Sequence, residues 1–415
     1  MGRYRSSQRI WRRAKLVTGG EMGAIAGWFW WRPSRILGLV GLALGLLQMF
    51  LGGLPLDLKV YLLGGATVVS DPSALYGSSI DRLPFTYPPI AGLFFAPFSL
   101  LPAWLAVILL TGGSLLCLLR TLQLVLRQLD GLVCLSSDRS LVLLTLGSLL
   151  LEPIWRTWSY GQVNLVLMWL VVEAVLGPKS DRGGWIVGVA AGFKLTPAVF
   201  GLYYLGSGNW RSLLRVMFAF AGTVVVGLLL LPSATRQFWT ETVRDAERVG
   251  GIAYTTNQSV NGALWRLFGQ GGWPLLWSAL VIGFLALSWV TVRGFADAGE
   301  PLPALLTCAV LGLLISPISW SHHWVWAIPL LLFLANRVIG RPRDKGAVAL
   351  AVAWLVATGS SIISILPAGE GVEYTLSPEL KAISDTYPLL GMASLFWLWR
   401  ASQNSSFHRC RPPTE

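Results

Sequence analysis

The sequence contains few charged residues. Only 13% of its 415 residues are Asp, Glu, Lys or Arg, whereas 54% are hydrophobic and the mean hydropathy is +0.61. So little charge cannot cover the surface of a soluble multidomain protein. The net charge of +12 comes from short basic clusters between apolar runs, a pattern typical of cytoplasmic loops and not of a nucleic-acid surface. We therefore expect a polytopic membrane protein that binds no nucleic acid.

The sequence also lacks the common cofactor and metal motifs. Its four cysteines form no C-x-x-C pair, and no P-loop, G-x-G-x-x-G, D-x-D or H-E-x-x-H occurs. His322 and His323 are adjacent, so on a helix they point about 100° apart and cannot chelate one ion from a single face. We expect no bound metal or cofactor and no nucleotide-binding domain.

Long apolar runs are abundant. A membrane-spanning helix needs about 20 apolar residues. By that measure we predict about twelve hydrophobic helices in one membrane-embedded domain covering residues 1–415. Their predicted ranges are 34–52, 102–120, 141–158, 161–177, 184–194, 196–206, 211–231, 273–293, 302–318, 323–338, 346–366 and 387–400.

The distribution of basic residues predicts the orientation. A basic N-terminal segment (1–33) with a tryptophan cluster and a basic tail (401–415) both lie inside, in the cytoplasm. Residues 53–101 (loop 1) and 232–272 (loop 2) then lie outside the cytoplasmic membrane. Basic residues flank 184–206 on both sides, so both ends of this segment are predicted to lie inside and it cannot cross the membrane once. Because Pro197 breaks a helix, we predict two short helices here that meet beneath the outer face.

Loop 1 carries an acidic residue next to the membrane. Asp57 begins the run Asp57-Leu58-Lys59-Val60-Tyr61, and the loop closes with a proline-rich turn followed by residues 87–101, which we expect to form a bent segment dipping into the membrane. Asp57 has two interpretations. It could cap a helix, or its carboxylate could accept a proton from a sugar hydroxyl.

Polar residues elsewhere are placed on the same predicted face. Lys194 at the proline break could snorkel or bind a phosphate, and Arg156 could bind a ligand or bond between helices. His322, preferred slightly over His323, could orient a phosphate or sugar. The amides could bind sugar hydroxyls or bond within the protein. They are Gln162, Asn164, Asn257 and Gln258.

Six motifs in order resemble one enzyme family. They are DLKVY, LPFTYPP, YGQVN, GFKLTPA, NQSVNGALWR and SPISWSHHWVW. The sequence resembles the actinobacterial polyprenol-phosphate-mannose-dependent α-(1→2)-mannosyltransferases of the GT-C type, most of all those that extend phosphatidylinositol mannosides. The resemblance implies an all-α polytopic GT-C fold with amphipathic helices in loop 1. It also implies a polyprenyl-phosphomannose donor and a mannosylated phosphatidylinositol acceptor, both in the lipid bilayer.

The resemblance further implies roles for individual residues. Asp57 would be the general base of an inverting displacement, and His322 would assist catalysis. The family's basic and amide positions correspond by motif to Lys194, Gln162, His322 and His323. From the residues themselves we predict that Arg156 joins Lys194, His322 and His323 in binding the donor phosphate. We also predict that the sugars are bound by Tyr61, Tyr87, Gln162, Asn164, Asn257, Gln258 and Trp320. Two alternatives remain at this point, namely a flippase for polyprenyl-linked sugars and a GT-C enzyme that uses another sugar, such as arabinose.

Overall fold

The protein folds almost entirely as helices. This computed structural model describes residues 27–28, 31–77, 79–80, 83–270, 273–369 and 371–407. Most of the basic N-terminal segment and the last eight residues of the tail lie outside these ranges. The α-helices are α1 (Arg32–Gly52), α2 (Leu56–Ser70), α3 (Pro89–Ser99), α4 (Ala103–Leu126), α5 (Asp138–Gly147), α6 (Glu152–Tyr160), α7 (Asn164–Leu176), α8 (Gly183–Phe193), α9 (Gly201–Gly206), α10 (Trp210–Leu230), α11 (Pro232–Thr240), α12 (Val260–Phe268), α13 (Pro274–Ala298), α14 (Pro301–Ile315), α15 (Ala327–Gly340), α16 (Lys345–Gly359), α17 (Pro378–Ser384) and α18 (Thr386–Phe407).

Extended structure is confined to one short hairpin and one bridge in the described residues. Strands β1 (Ser79–Ile80) and β2 (Leu83–Pro84) pair antiparallel in loop 1. A single antiparallel bridge joins Asn257 of loop 2 to Trp320. Two 3₁₀ segments, Thr196–Phe200 and Ser321–Trp326, replace regular helix where the chain turns near the polar residues.

The described helices include fewer membrane spans than the sequence predicts. Six are long and apolar enough to cross a bilayer, and the number rises to eight if two sharply bent pairs each count as one span. The expectation of about twelve separate hydrophobic helices is not confirmed, because several apolar runs are short or broken. The six ranges are Arg32–Gly52, Ala103–Leu126, Trp210–Leu230, Pro274–Ala298, Ser321–Gly340 and Lys345–Ile365.

The predicted span 141–158 is wrong. The helix over these residues stops after a short 3₁₀ turn, Leu151 is extended (φ −90°, ψ 127°), and α6 starts anew with Pro153 in its first turn. A proline lacks the amide hydrogen and its ring collides with the preceding turn, so it kinks or breaks a helix that would otherwise continue. After α6 the chain bends by 115° into α7. The run is apolar on average, so its hydropathy predicted one continuous helix.

The predicted pair of short helices around Pro197 is present. Three glycines of α8 lie against successive turns of α10: Gly184 at Ser212, Gly188 at Val216 and Gly192 at Thr223. The two helices therefore run in the same direction, and the segment between them turns back. Its last helix returns Tyr204 to the start of α8, where the Tyr204 hydroxyl donates to the Ala174 carbonyl (3.5 Å). The turn places Lys194 at the tip of this hairpin.

Loop 1 packs as a compact layer. Gly64 and Gly65 of α2 leave room for Phe85 and for the backbone at Phe95, and the Tyr61 ring stacks on Phe95 with centroids 4.4 Å apart. The exposed positions of α2 are mainly apolar, so the amphipathic helix expected here is absent. Its neighbour α3 has 11 residues, about 16 Å of helix, which is shorter than a bilayer core.

Candidate active site

A left-handed glycine brings the two halves of the site together. Helix α6 ends at Gly161, whose φ of 66° suits a residue without a side chain. The turn lies directly on the start of α2, so close that a Cβ at Gly161 would lie 2.9 Å from the Pro55 Cβ and 3.1 Å from the Leu58 Cβ. This contact places Gln162 next to Asp57.

Asp57 lies in the first turn of α2 beside a cluster of hydroxyl and amide groups. The helix cap is Pro55 and makes no side-chain cap bond, so Asp57 is not the N-cap that the sequence also allowed. The Tyr61 and Tyr87 hydroxyls lie 2.8 Å apart, and both donate to the Gln162 side-chain oxygen, Tyr87 at 2.9 Å. Gln162 also hydrogen-bonds Asp57. Three of the predicted sugar-binding residues thus surround the predicted base.

The environment of Asp57 changes its acidity. Burial raises the pKa of this carboxyl to about 6, although the nearby Lys194 charge and the hydrogen bond with Gln162 lower it. Desolvation disfavours the charged form, whereas the cation and the hydrogen bond favour it. A carboxylate with a pKa just below neutral is still ionised at pH 7 and is a stronger base than an exposed aspartate.

Lys194 is held at the break between α8 and the following 3₁₀ turn. Its backbone is extended (φ −146°, ψ 131°), which turns the side chain away from the helix axis. The ammonium donates to the Asn164 side-chain oxygen (3.0 Å) and lies 3.4 Å from the His323 Nε2. It also lies 5.3 Å from the centre of the Tyr87 ring. The cation is therefore next to Asp57 and presented by neutral groups.

The two histidines occupy different positions. The His322 carbonyl accepts hydrogen bonds from Thr157 (2.6 Å) and Asn164 (2.9 Å). The His322 ring is buried edge-on to Tyr160, and its Nε2 has no hydrogen-bond partner within the described chain. His323 is half-buried and contacts Lys194. The geometry therefore favours His323 for contact with an anion, the reverse of the slight preference drawn from sequence.

Lys194, His323 and Asn164 form the polar end of a small open cavity. The other polar lining residues are Thr196, Ser316 and Ser319, and the remaining lining side chains are apolar. The apolar lining comes from α7, α14, the 3₁₀ turn after Lys194 and the 3₁₀ segment Ser321–Trp326. It includes Leu167, Met168, Val171, Phe200, Leu313 and Trp326. A ligand with an anionic head and a hydrocarbon tail matches this arrangement.

Arg156 lies apart from this cation. Its Nε is 3.1 Å from the Glu152 carboxylate and 3.0 Å from the Ser364 hydroxyl, and its Nη1 donates to the Tyr160 hydroxyl (2.5 Å). It does not line the cavity. Because the adjacent carboxylate already compensates its charge, the geometry does not support the donor-phosphate role predicted for Arg156.

The loop 2 amide side chains hydrogen-bond other groups of the protein interior. Asn257 and Gln258 have no exposed surface. Asn257 donates to Ile252 and accepts from the Ser259 and Ser319 amides. Gln258 donates to Thr255 and Ser384 and accepts from the Tyr387 amide. Side chains so enclosed and so fully bonded cannot contact a sugar in this structure, so their predicted sugar-binding role is corrected to one of holding loop 2.

Trp320 is half-buried at the edge of this loop. Its ring lies against Gly250 and edge-on to Tyr254, with centroids 6.2 Å apart. It does not line the cavity.

Glu152 is a buried carboxylate that was not among the residues predicted from the sequence. Its side chain is 1% exposed, and it accepts hydrogen bonds from Ser321 (2.7 Å) and Tyr387 (3.0 Å). A carboxylate near an apolar run was the available signal, since intramembrane acids usually have a specific partner. Its partners Ser321 and Tyr387 are distant in sequence and could not be identified from it, whereas Arg156 is only four residues away. No group of three or more metal-binding side chains is placed to hold an ion in the part of the chain described here.

Replacing Gly161 by Ala should destabilise the protein strongly. A non-glycine residue with positive φ costs about 1–2 kcal/mol, and the new methyl group would also push α2 away. The matched control is Gly208→Ala, since Gly208 has φ 68° but no heavy atom within 4 Å of the position that a Cβ would occupy. In thermal unfolding, Gly161→Ala should lower Tm clearly more than Gly208→Ala. Equal decreases would show that the contact with α2 contributes nothing.

Taken together, the apolar spans and the buried polar site beside a cavity define an integral membrane protein with an enzyme-like site. The sequence comparisons give the class: the model of Glycosyltransferase family 87 matches residues 85–317, which is more than half of the chain. The protein belongs to glycosyltransferase family 87.

Named relatives lie in mycobacteria. The chain is 38% identical, over 73% of its length and 74% of the relative's, to the polyprenol-phosphate-mannose-dependent alpha-(1-2)-phosphatidylinositol pentamannoside mannosyltransferase of Mycolicibacterium smegmatis. The Mycobacterium tuberculosis protein of that name is 36% identical over 73% and 70%. A polyprenol-phosphate-mannose-dependent alpha-(1-2)-phosphatidylinositol mannoside mannosyltransferase of M. smegmatis is 34% identical over 81% and 82%. No solved structure matches the chain.

Proposed function

We propose that this protein transfers mannose, with inversion, from polyprenyl-phosphomannose to a 2-hydroxyl of a mannosylated phosphatidylinositol, forming an α-(1→2) linkage. The named substrates of its relatives support this donor and this class of acceptor. The observation that carries the proposal is the position of Asp57, which lies beside Gln162 and within the influence of the Lys194 charge. Lys194 in turn lines the apolar-walled cavity.

The chemistry requires one displacement. The acceptor's 2-hydroxyl gives its proton to Asp57 while its oxygen bonds to the anomeric carbon, and the bond from that carbon to the phosphate oxygen breaks. A β-linked donor thereby gives an α-linked product. A general base typically contributes about 10²- to 10⁴-fold to such a step.

The leaving group is a polyprenyl phosphate, whose charge needs stabilisation but no proton. Lys194 and His323 lie together where the phosphate would sit. Fixed donors in a partly desolvated site stabilise developing negative charge strongly. The apolar wall below them would accommodate the first isoprene units. Tyr61 is as enclosed as Asn257 and Gln258, so Tyr61 and Tyr87 would act by holding the Gln162 side chain beside Asp57.

The orientation belongs to the proposal as well. The basic residues of the predicted inner loops favour a cytoplasmic position for both termini and a site on the outer face of the cytoplasmic membrane. Lipid-linked donors presented on that face would enter the cavity from the bilayer.

The direct test uses purified protein in lipid nanodiscs with a mannosylated phosphatidylinositol and a panel of polyprenyl-phosphate sugars. We expect transfer from the mannose donor and a new α-(1→2) linkage by linkage analysis and NMR. Exclusive use of an arabinose donor would overturn the mannose assignment. Translocation of the donor across vesicle membranes without any mannose transfer would instead indicate a flippase.

The transfer rate should depend on pH through Asp57. Because its pKa is about 6 and the base must be ionised, the rate should fall about tenfold per pH unit below that value. The effect of Asp57 protonation on the stability of the fold has the opposite sign to its effect on the transfer rate. A raised folded-state pKa means that protonation of Asp57 favours the fold, a contribution present below the unfolded pKa and lost as pH rises through about 6. Protonation of Asp57 at acid pH should therefore lower the transfer rate without destabilising the fold. A flat profile from pH 7 to 5 would contradict this assignment.

A further inference from the structure

A buried carboxylate joins three distant segments behind the candidate site. Glu152 in the first turn of α6 accepts from the Ser321 hydroxyl through Oε1 (2.7 Å) and from the Tyr387 hydroxyl through Oε2 (3.0 Å). Its Oε1 also lies 3.1 Å from the Arg156 Nε. Tyr387, at the start of α18, lies beyond the family match at residues 85–317.

The segment that Glu152 holds carries the two histidines. Ser321 immediately precedes them, and the His323 Nε2 lies 3.4 Å from the Lys194 ammonium. On the other side, Arg156 donates to the Tyr160 hydroxyl, and the Tyr160 ring stands edge-on to His322 with centroids 5.3 Å apart. A displacement of Glu152 would therefore move the histidine segment relative to Lys194.

The far end of this connection is also fixed. The Tyr387 amide donates to Gln258 (3.1 Å). Two residues earlier, Asp385 accepts from the fully buried Arg266 through Nε (2.8 Å) and Nη2 (2.5 Å). The Tyr387 ring packs against Trp324 and Trp354, with centroids 5.8 and 5.6 Å away. Packing thus fixes the ring independently of its hydroxyl, whose contact with Glu152 can be removed alone.

We propose that Tyr387 and Glu152 are positioning residues, which set the distance between His323 and Lys194 and so the shape of the anion-binding end of the cavity. This inference rests on the proposed function, because it assigns that end to the donor phosphate. A hydrogen bond to a buried charged group cannot be replaced by water, so its loss leaves the carboxylate undercompensated and free to rearrange toward Arg156.

The test compares two conservative variants. Tyr387→Phe removes the hydroxyl that bonds Glu152. Tyr204→Phe removes an equally buried hydroxyl that makes only a long bond (3.5 Å) to the Ala174 carbonyl. We expect Tyr387→Phe to lower kcat/KM for the donor about tenfold, with the acceptor KM unchanged, and Tyr204→Phe to match wild type. Equal decreases for both substrates would indicate a general structural role and overturn the inference.

A second comparison tests the pathway. If Tyr387 acts through Glu152, then Glu152→Gln should lower donor kcat/KM, and adding Tyr387→Phe to it should have little further effect. Full additivity would overturn the coupling between Tyr387 and Glu152.

Binding of polyprenyl phosphate, measured without transfer, keeps the positioning proposal separate from the proposed mannosyl transfer. Weaker binding to Tyr387→Phe would support positioning even if the wild type failed to transfer mannose. Unchanged binding together with unchanged donor kcat/KM would refute positioning while leaving the proposed function intact.

Discussion

Replacing Asp57 by Asn should reduce kcat by about 10²- to 10⁴-fold, the usual contribution of a general base, while KM for the donor changes little. The amide keeps nearly the same shape and can still bond Gln162, but it cannot accept the acceptor's proton. Initial rates with labelled donor, together with binding of polyprenyl phosphate, separate these two quantities.

The stability of Asp57→Asn provides an internal check. Burial raises the pKa of Asp57, so the site disfavours the charge that the substitution removes. The variant should therefore unfold at the same temperature as wild type or higher. The control is Asp71→Asn at the other end of α2, where an exposed carboxylate bonds the Ser73 amide and hydroxyl. Transfer by Asp57→Asn above a tenth of the wild-type rate would remove Asp57 as the base.

Replacing Lys194 by Gln should reduce kcat/KM for the donor by about 10²- to 10³-fold, as expected for loss of one charged group that stabilises a developing anion. The glutamine can still bond Asn164, so the fold should remain intact. Lys345→Gln, an exposed lysine in the first turn of α16, controls for the loss of a positive charge. Rates for the two variants within threefold of each other would contradict the assignment of Lys194 to the phosphate.

Lys194→Gln should also change the pH profile. The Lys194 charge lowers the pKa of Asp57, so without it that pKa should rise. The acid limb of the remaining activity should then move to higher pH. An unmoved limb would mean that Lys194 and the base do not interact during the reaction.

Some of the fold could be predicted residue by residue. The hairpin around Lys194 follows from Pro197 and from basic residues on both sides of 184–206. Long apolar runs also located α1, α4, α10 and α13. The predicted span 141–158 was wrong because hydropathy averages over a window and does not register that Pro153 restarts the helix.

The site could be predicted only in part. The protein's membership of glycosyltransferase family 87 agrees with the resemblance drawn from six ordered motifs. The structure gathers Asp57, Gln162 and Lys194, whose chemical roles remain predictions. Asn257 and Gln258 illustrate the limit, since an amide that binds a sugar and one that holds a loop have the same sequence signal. Only their burial and bonding partners distinguish them.

The sequence by itself determined that this is a membrane protein, where several of its long apolar helices lie, and which polar residues are costly enough there to need a specific partner. Those properties depend on composition and local order, which each segment carries alone. The tertiary structure decided that His323, not His322, contacts Lys194, that Arg156 is paired with Glu152, and that Tyr387 reaches the site from the last helix. Most of these outcomes depend on contacts between segments more than 100 residues apart, and nothing within one segment specifies its distant partner.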